Sequence, residues 1–152
     1  VGCEFVRDRA RLVRGAGMKN VIVTIGCVSC KVLDEVLPFT DAMNIDLKGF
    51  TDCYYGKLGG SLEVVKHFIE QAAAGCHVEL TTLIVPGEND SEAEIRELAA
   101  WVASVDPRIP LHITKFFPRW KMTDRDATDI RHLYALVRAA RESLEYVFAG
   151  NC

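Results

Sequence analysis

The stretch DAMNIDLKGF, Asp41 to Phe50, decides how this chain folds. Met43, Ile45 and Leu47 alternate with Asn44, Asp46 and Lys48, the period of two that marks a β-strand. The apolar set faces one side of a sheet and the polar set the other. Gly49 breaks the strand, so Asp46 and Lys48 stand at its carboxyl end. Parallel α/β sheets and barrels bind ligands at that end, and an opposed charge pair there is a candidate site.

Working outward, helices and strands alternate regularly. Phe5, Arg9, Leu12 and Val13 mark a first amphipathic helix stopped by Gly15 and Gly17. Val21 to Ile25 is a short β-branched strand. Ser29 caps a helix through Val32, Leu33, Val36 and Leu37, which Pro38 ends. Beyond the Ala42–Lys48 strand, Leu62, Val65, Ile69 and Ala72 share a helix face closed by Gly75. Val78 to Val85 is a strand that Pro86-Gly87 terminates. Ser91 with Glu94 forms a capping box, opening a helix with Ile95, Leu98, Val102 and Val105 on one face. Leu111 to Phe117 is a strand, Ile130, Leu133, Tyr134 and Val137 stripe the last helix, and Tyr146 to Ala149 closes the chain as a short strand. Strict alternation predicts parallel strands joined by right-handed crossovers. An eight-fold barrel needs about 250 residues, so 152 residues make part of a barrel or a small open sheet, as one domain over 1–152.

Composition narrows the function classes. Apolar residues are 49% and charged residues 26% of the chain, enough for a real core. A net charge of −3 gives no electrostatic reason to expect nucleic acid or a membrane surface. The apolar runs are too short for a membrane span, and no signal-peptide pattern opens the chain. Six cysteines in a chain of this size read as reduced cytoplasmic thiols rather than three disulfides. Val1 opens directly into a helical pattern, which predicts a longer protein with an N-terminal part upstream.

Four segments taken together, VIVTIG (Val21 to Gly26), DAMNIDLKGF, HVELTTLIVPGENDS (His77 to Ser91) and LHITKFFPRWKMTD (Leu111 to Asp124), resemble the C-terminal part of radical S-adenosylmethionine enzymes. They are close to the pyruvate formate-lyase activating enzymes and nearest to the AmmeMemoRadiSam branch, which the ending YVFAGN also fits. The resemblance covers essentially the whole chain. It implies an α/β fold, the C-terminal portion of a partial (β/α)6 barrel with parallel strands and helices outside. It implies S-adenosylmethionine and a [4Fe–4S] cluster as cofactors, with reductive cleavage giving a 5′-deoxyadenosyl radical. Thiolates suit such clusters, and an open iron position takes the cofactor's amine and carboxylate. The chain has no C-x-x-x-C-x-x-C, so the resemblance places the cluster ligands upstream of Val1 and none of them within the chain. The chain alone is then expected neither to bind the cluster nor to cleave the cofactor.

The resemblance also assigns residues. Asp46 and Lys48 match the D-L-K strand end near the cofactor's methionine carboxylate, with Lys48 as a point charge; a strand-end salt bridge of little energy is the plain alternative. Thr24 matches a strand-end threonine that offers a hydroxyl to the cofactor region, although Ile25 replaces the usual asparagine; otherwise it is an ordinary strand residue. Thr81 and Thr82 lie in the strand beneath the cofactor, Thr81 standing where an arginine is common, and the backbone near Leu83 flanks the adenine. Phe117 replaces a common histidine. The cluster of Lys115, Phe117, Arg119, Trp120 and Lys121 contacts a substrate anion or aromatic group, or else a missing segment or partner. Cys27-x-x-Cys30 reads as isolated small hydrophobes rather than a zinc or redox pair. His67, His112 and His132 fall in separate elements with no ligand spacing. The substrate, a protein glycyl site or a small molecule, is not named by these residues. Two other readings stand: an aldolase-like (β/α) lyase with Lys48 as Schiff-base amine, and a non-enzymatic module that self-associates through an open sheet edge.

Overall fold

A computed structural model describes residues 2–152, with every side chain among them except that of Cys30; Val1 lies outside the described residues. Five parallel strands, β1 (Val21–Thr24), β2 (Ala42–Asp46), β3 (His77–Ile84), β4 (Leu111–Lys115) and β5 (Val147–Gly150), form one sheet in the order β1-β2-β3-β4-β5. Each strand lies beside its predecessor, so every connection is a single-step crossover. Crossovers of one hand then put all the helices on one face, the local geometry of a barrel wall rather than of a doubly wound sheet.

The two faces of the sheet differ in chemistry. Met43, Ile45, Val78, Leu80, Ile84, Leu111, Ile113 and Val147 are buried against the helices. Leu33, Val65, Ile69, Ile95, Leu98, Val102, Leu133 and Val137 meet them from the helix side. The opposite, open face carries Asn44, Asp46, Glu79, Thr81, His112 and Thr114, all only partly buried. Alternation along β3, whose odd-numbered residues are open and even-numbered residues buried, is what separates the two sets.

The helices are α1 (Cys3–Gly15), α2 (Cys30–Val36), α3 (Asp52–Lys57), α4 (Leu62–Ala73), α5 (Glu92–Val105) and α6 (Ile130–Ala140). Several local expectations change. Ser29 precedes α2 but makes no side-chain cap bond, and the α-helix stops at Val36, two residues before Pro38. Pro38 sits inside a 3-10 turn, Leu37–Phe39, where its fixed φ is tolerated. The sequence reading has no helix at α3, which Thr51 caps by accepting from the Tyr54 N–H at 3.2 Å. Asp129 caps α6 through the N–H groups of Arg131 and His132. Ile130 and Tyr134 are exposed, and the buried stripe of α6 runs through Leu133, Leu136, Val137 and Ala140 instead. β1, β2 and β4 are shorter than predicted at their carboxyl ends, where Ile25, Lys48 and Phe117 lie beyond the ladders, whereas β5 runs one residue farther, to Gly150. No helix among the described residues is long and apolar enough to cross a membrane.

Candidate functional site

The site is built on the loop that follows β2. Lys48 Nζ lies 2.6 Å from Asp46 Oδ2, with both side chains about one-third exposed or less, on the open face. Leu47 turns the other way and is fully buried. The sequence alternation therefore persists past the end of the ladder, and the reason is a set of side-chain hydrogen bonds that replace strand partners. Thr82 Oγ1 donates to the Leu47 carbonyl at 2.8 Å. The Lys48 N–H donates to the Tyr55 hydroxyl at 3.1 Å. Asn89 Nδ2 donates to the Lys48 carbonyl at 2.6 Å and to the Leu83 carbonyl at 2.9 Å, while its Oδ1 accepts from the Val85 N–H at 2.8 Å. Glu94 Oε1 accepts from the Phe50 N–H at 2.7 Å. Buried backbone groups must find partners, and here four elements supply them to one four-residue loop.

Gly49 sits at the tightest point of this clamp. A Cβ there would meet Tyr54 Cδ1 at 2.8 Å and Glu94 Oε1 at 3.0 Å. Glycine is required by close approach rather than by turn conformation. Burial pushes the Tyr55 hydroxyl up to about 12, so it stays protonated across the neutral range while accepting from Lys48.

Glu94 corrects one expectation. Ser91 Oγ does accept from the Glu94 N–H at 3.1 Å, so half of the capping box forms. The return bond does not; the Glu94 carboxylate leaves its own helix for Phe50. Burial raises the Glu94 carboxyl above its ordinary value, against the smaller lowering by the Phe50 N–H. A carboxyl raised in the folded state binds a proton that the unfolded chain has released, so its contribution to stability is present at low pH and lost as pH rises past the ordinary carboxylate range. Gln at this position keeps the acceptor oxygen without the charge. Glu94→Gln is therefore expected to be equally or more stable than wild type at pH 7, with the advantage shrinking at pH 4.5, read by urea unfolding at the two pH values. A variant less stable at pH 7 by more than about 1 kcal/mol contradicts the assignment.

The expected site residues divide. The β2–β3 register pairs Asp46 with Thr81, and both face the open side. Thr81 Oγ1 donates to Asn44 Oδ1 at 3.0 Å. Leu83 lies two residues farther along β3, at the level of Lys48, and Asn89 ties the two carbonyls together. Thr24 is not brought to this group: it pairs in register with Ile45, on the helix side, and its Oγ1 accepts from the Gly26 N–H at 3.1 Å. A cleft of about 230 Å³ borders Lys48, lined by Ile25, Cys27, Tyr55 and Leu58. A larger one of about 600 Å³ opens past the ends of β3 and β4, lined by Leu83, Lys115, Phe117 and Arg119. Trp120, next to Arg119 in the chain, has a positive φ of 50° and is 84% exposed.

The thiols are scattered. Cys3, Cys27, Cys53, Cys76 and Cys152 are free, and the Cys30 side chain lies outside the described residues. Among the described residues no three His, Cys, Asp or Glu side chains are grouped to hold a metal ion. Sequence spacing missed Asn89 and Glu94 as clamps, because both serve a loop some 40 residues away, at separations of 41 and 44. It also passed over His112, which the register places beside Thr81.

No protein-family model matches the chain. In sequence it is 38% identical over 151 residues to an uncharacterised protein of Methanocaldococcus jannaschii, covering 97% of this chain and 45% of that protein. The chain thus spans less than half the length of the curated relative it matches. In structure it is similar to a domain of a pyruvate-formate lyase-activating enzyme from Bacteroides vulgatus, with a TM-score of 0.83 at 18% identity over 98% of this chain and 91% of that one. It also resembles TYW1 with a lysine-pyruvate adduct bound (TM-score 0.68, 16% identity, 93% and 46% covered). A radical SAM methyltransferase from Sphaerobacter thermophilus gives 0.66 at 13% identity, with 88% and 41% covered. The chain has the fold of radical SAM enzyme domains, the fold its sequence resemblance implied.

Proposed function

We propose that this chain is the C-terminal portion of a radical S-adenosylmethionine enzyme resembling the pyruvate formate-lyase activating enzymes, working in the cytoplasm with reduced thiols. The observation that carries the reading is the clamped Asp46–Lys48 pair at the carboxyl end of β2, in a fold shared with a pyruvate-formate lyase-activating enzyme domain. When bound, the cofactor supplies a carbon-centred radical. Lys48 offers a fixed cation for its methionine carboxylate, and Asp46 orients that cation while accepting from an amine. Leu83 and the larger cleft beside it give an apolar floor for the adenine. Thr81 supports the floor through Asn44. Thr24 serves the strand end from the helix side, shaping the Gly26 turn. These residues suit S-adenosylmethionine. The described cysteines do not suit a [4Fe–4S] cluster, which needs three thiolates in one loop; the cluster ligands belong to a segment outside the chain.

The test uses the protein that carries this chain together with its upstream segment. Reconstituted anaerobically and reduced, it is expected to hold one [4Fe–4S] cluster and release 5′-deoxyadenosine and methionine. The 152-residue chain treated alike is expected to hold no stoichiometric cluster. A cluster on the short chain, or none on the long protein, overturns the reading. The lysine-pyruvate adduct of TYW1 keeps the lyase reading of Lys48 in view. Lys48 Nζ is engaged by the Asp46 carboxylate 2.6 Å away, which holds it back from attack on a carbonyl. Borohydride with pyruvate is expected to leave the mass of the chain unchanged; a reduced adduct on Lys48 would make it a Schiff-base amine rather than a carboxylate-binding cation.

A further inference from the structure

The open face of the sheet carries a histidine–carboxylate pair that the cofactor reading does not use. His112 Nε2 lies 2.7 Å from Glu79 Oε2, across the β3–β4 boundary. His77 Nε2 approaches the other oxygen, Glu79 Oε1, at 3.3 Å. The hydrogen bond from His112, then that from His77, hold the Glu79 carboxyl below its ordinary range against the effect of burial. An ionised carboxylate only accepts, so Nε2 of His112 carries the hydrogen. In the neutral ring Nδ1 is then a lone-pair acceptor. Among the described residues no hydrogen-bond partner reaches Nδ1. The ring is held from its flat side as well, stacked on Phe148 with centroids 5.5 Å apart and planes at 27°. Its orientation is fixed while one polar atom stays open.

The position matters as much as the pair. Register runs Asp46 to Thr81, Thr81 to His112 and His112 to Phe148, so these four side chains form one row across the open face. Asp46 and His112 are two strand spacings apart, about 10 Å. A small molecule spans that distance. We propose that His112 is a substrate-contacting residue, its Nδ1 accepting a hydrogen bond from an O–H or N–H of a small molecule that lies across this row with a flat group near Phe148. Glu79 is its positioning residue. Calling the occupant a substrate rests on the radical enzyme reading; the binding geometry does not.

The test is made on the intact protein without cluster or S-adenosylmethionine, using phenol and anisole as probes. They share a ring, and only phenol has the donor. Nitrogen-15 spectra of wild type are expected to place the hydrogen of His112 on Nε2, the nitrogen that faces Glu79. Phenol is expected to shift Nδ1 and the Phe148 ring saturably, with anisole binding about fivefold more weakly, the worth of one net hydrogen bond. His112→Phe should abolish phenol's advantage and leave the remaining amide spectrum in place. Glu79→Leu should release the tautomer and weaken phenol binding, and Glu79→Gln, which keeps an acceptor oxygen, should restore both. A cross-strand ion pair with no ligand role predicts no saturable binding, or equal affinities for the two probes in wild type and His112→Phe. Either result, or an Nδ1-protonated tautomer, overturns the proposal. Failure of the radical reading would appear as absent cofactor cleavage and leave these spectra unaffected.

Discussion

Asn89→Ala is expected to cost about 3–5 kcal/mol of folding stability, the sum of several buried polar groups left without partners at about 1–3 kcal/mol each. Asn89 is fully buried and satisfies the Val85 N–H and the carbonyls of Lys48 and Leu83 at once. In a domain of this size each kcal/mol moves Tm by roughly 2–4 °C, so melting should fall by roughly 10 °C. Asn89→Asp separates this account from simple loss of volume. The carboxylate can still accept from Val85 but cannot donate, and it faces two carbonyl oxygens. It should therefore be at least as damaging as alanine at neutral pH, and milder in acid, where the protonated group donates once. Thermal unfolding of the three proteins decides the matter. An alanine variant within about 1 kcal/mol of wild type would show that water or loop relaxation serves the same groups, and the clamp would lose its importance.

Lys48→Met is expected to weaken S-adenosylmethionine binding to the cluster-loaded protein at least tenfold. A charge-assisted hydrogen bond is worth about 1.5–3 kcal/mol, and removing the ammonium also leaves Asp46 facing the ligand's carboxylate uncompensated. The backbone of Lys48, not its side chain, makes the contacts to Tyr55 and Asn89, so the loop should survive the substitution. Asp46→Asn should have an equal or smaller effect, because it leaves the cation in place. If the pair is only a strand-end salt bridge, worth about 0–1 kcal/mol, both variants should bind within about twofold of wild type. Titrating the cofactor into wild type and the two variants distinguishes these outcomes, and equal affinities for wild type and Lys48→Met end the assignment.

What could be read from the chain alone was local and periodic. The alternation of Met43, Ile45 and Leu47 with Asn44, Asp46 and Lys48 gave the strand, its buried face and the carboxyl-end position of the charged pair, because strand period is a property of consecutive residues. The 3.6-residue stripes of α4 and α5 gave their buried faces for the same reason. Caps were less legible. Ser91 begins α5 as expected, but its partner Glu94 is captured by the Phe50 N–H, a group brought near only by folding. In α6 the apolar residues Ile130 and Tyr134 fit the helical period yet face solvent, since packing against β4 and β5 favours the face centred on Leu133 and Val137.

The sequence by itself determined a parallel α/β fold, the succession of strands and helices along the chain, and the presence of Asp46 and Lys48 at a strand end. Tertiary structure alone decided which other residues share that site. Asn89 and Glu94 reach it across separations of 41 and 44 residues, and Tyr55 and Thr82 complete the clamp. Thr24 was turned to the helix side and His112 set in line with Asp46 by strand register. Register is fixed by which neighbouring strands pair and at which residue, and no local pattern encodes that relation between distant segments.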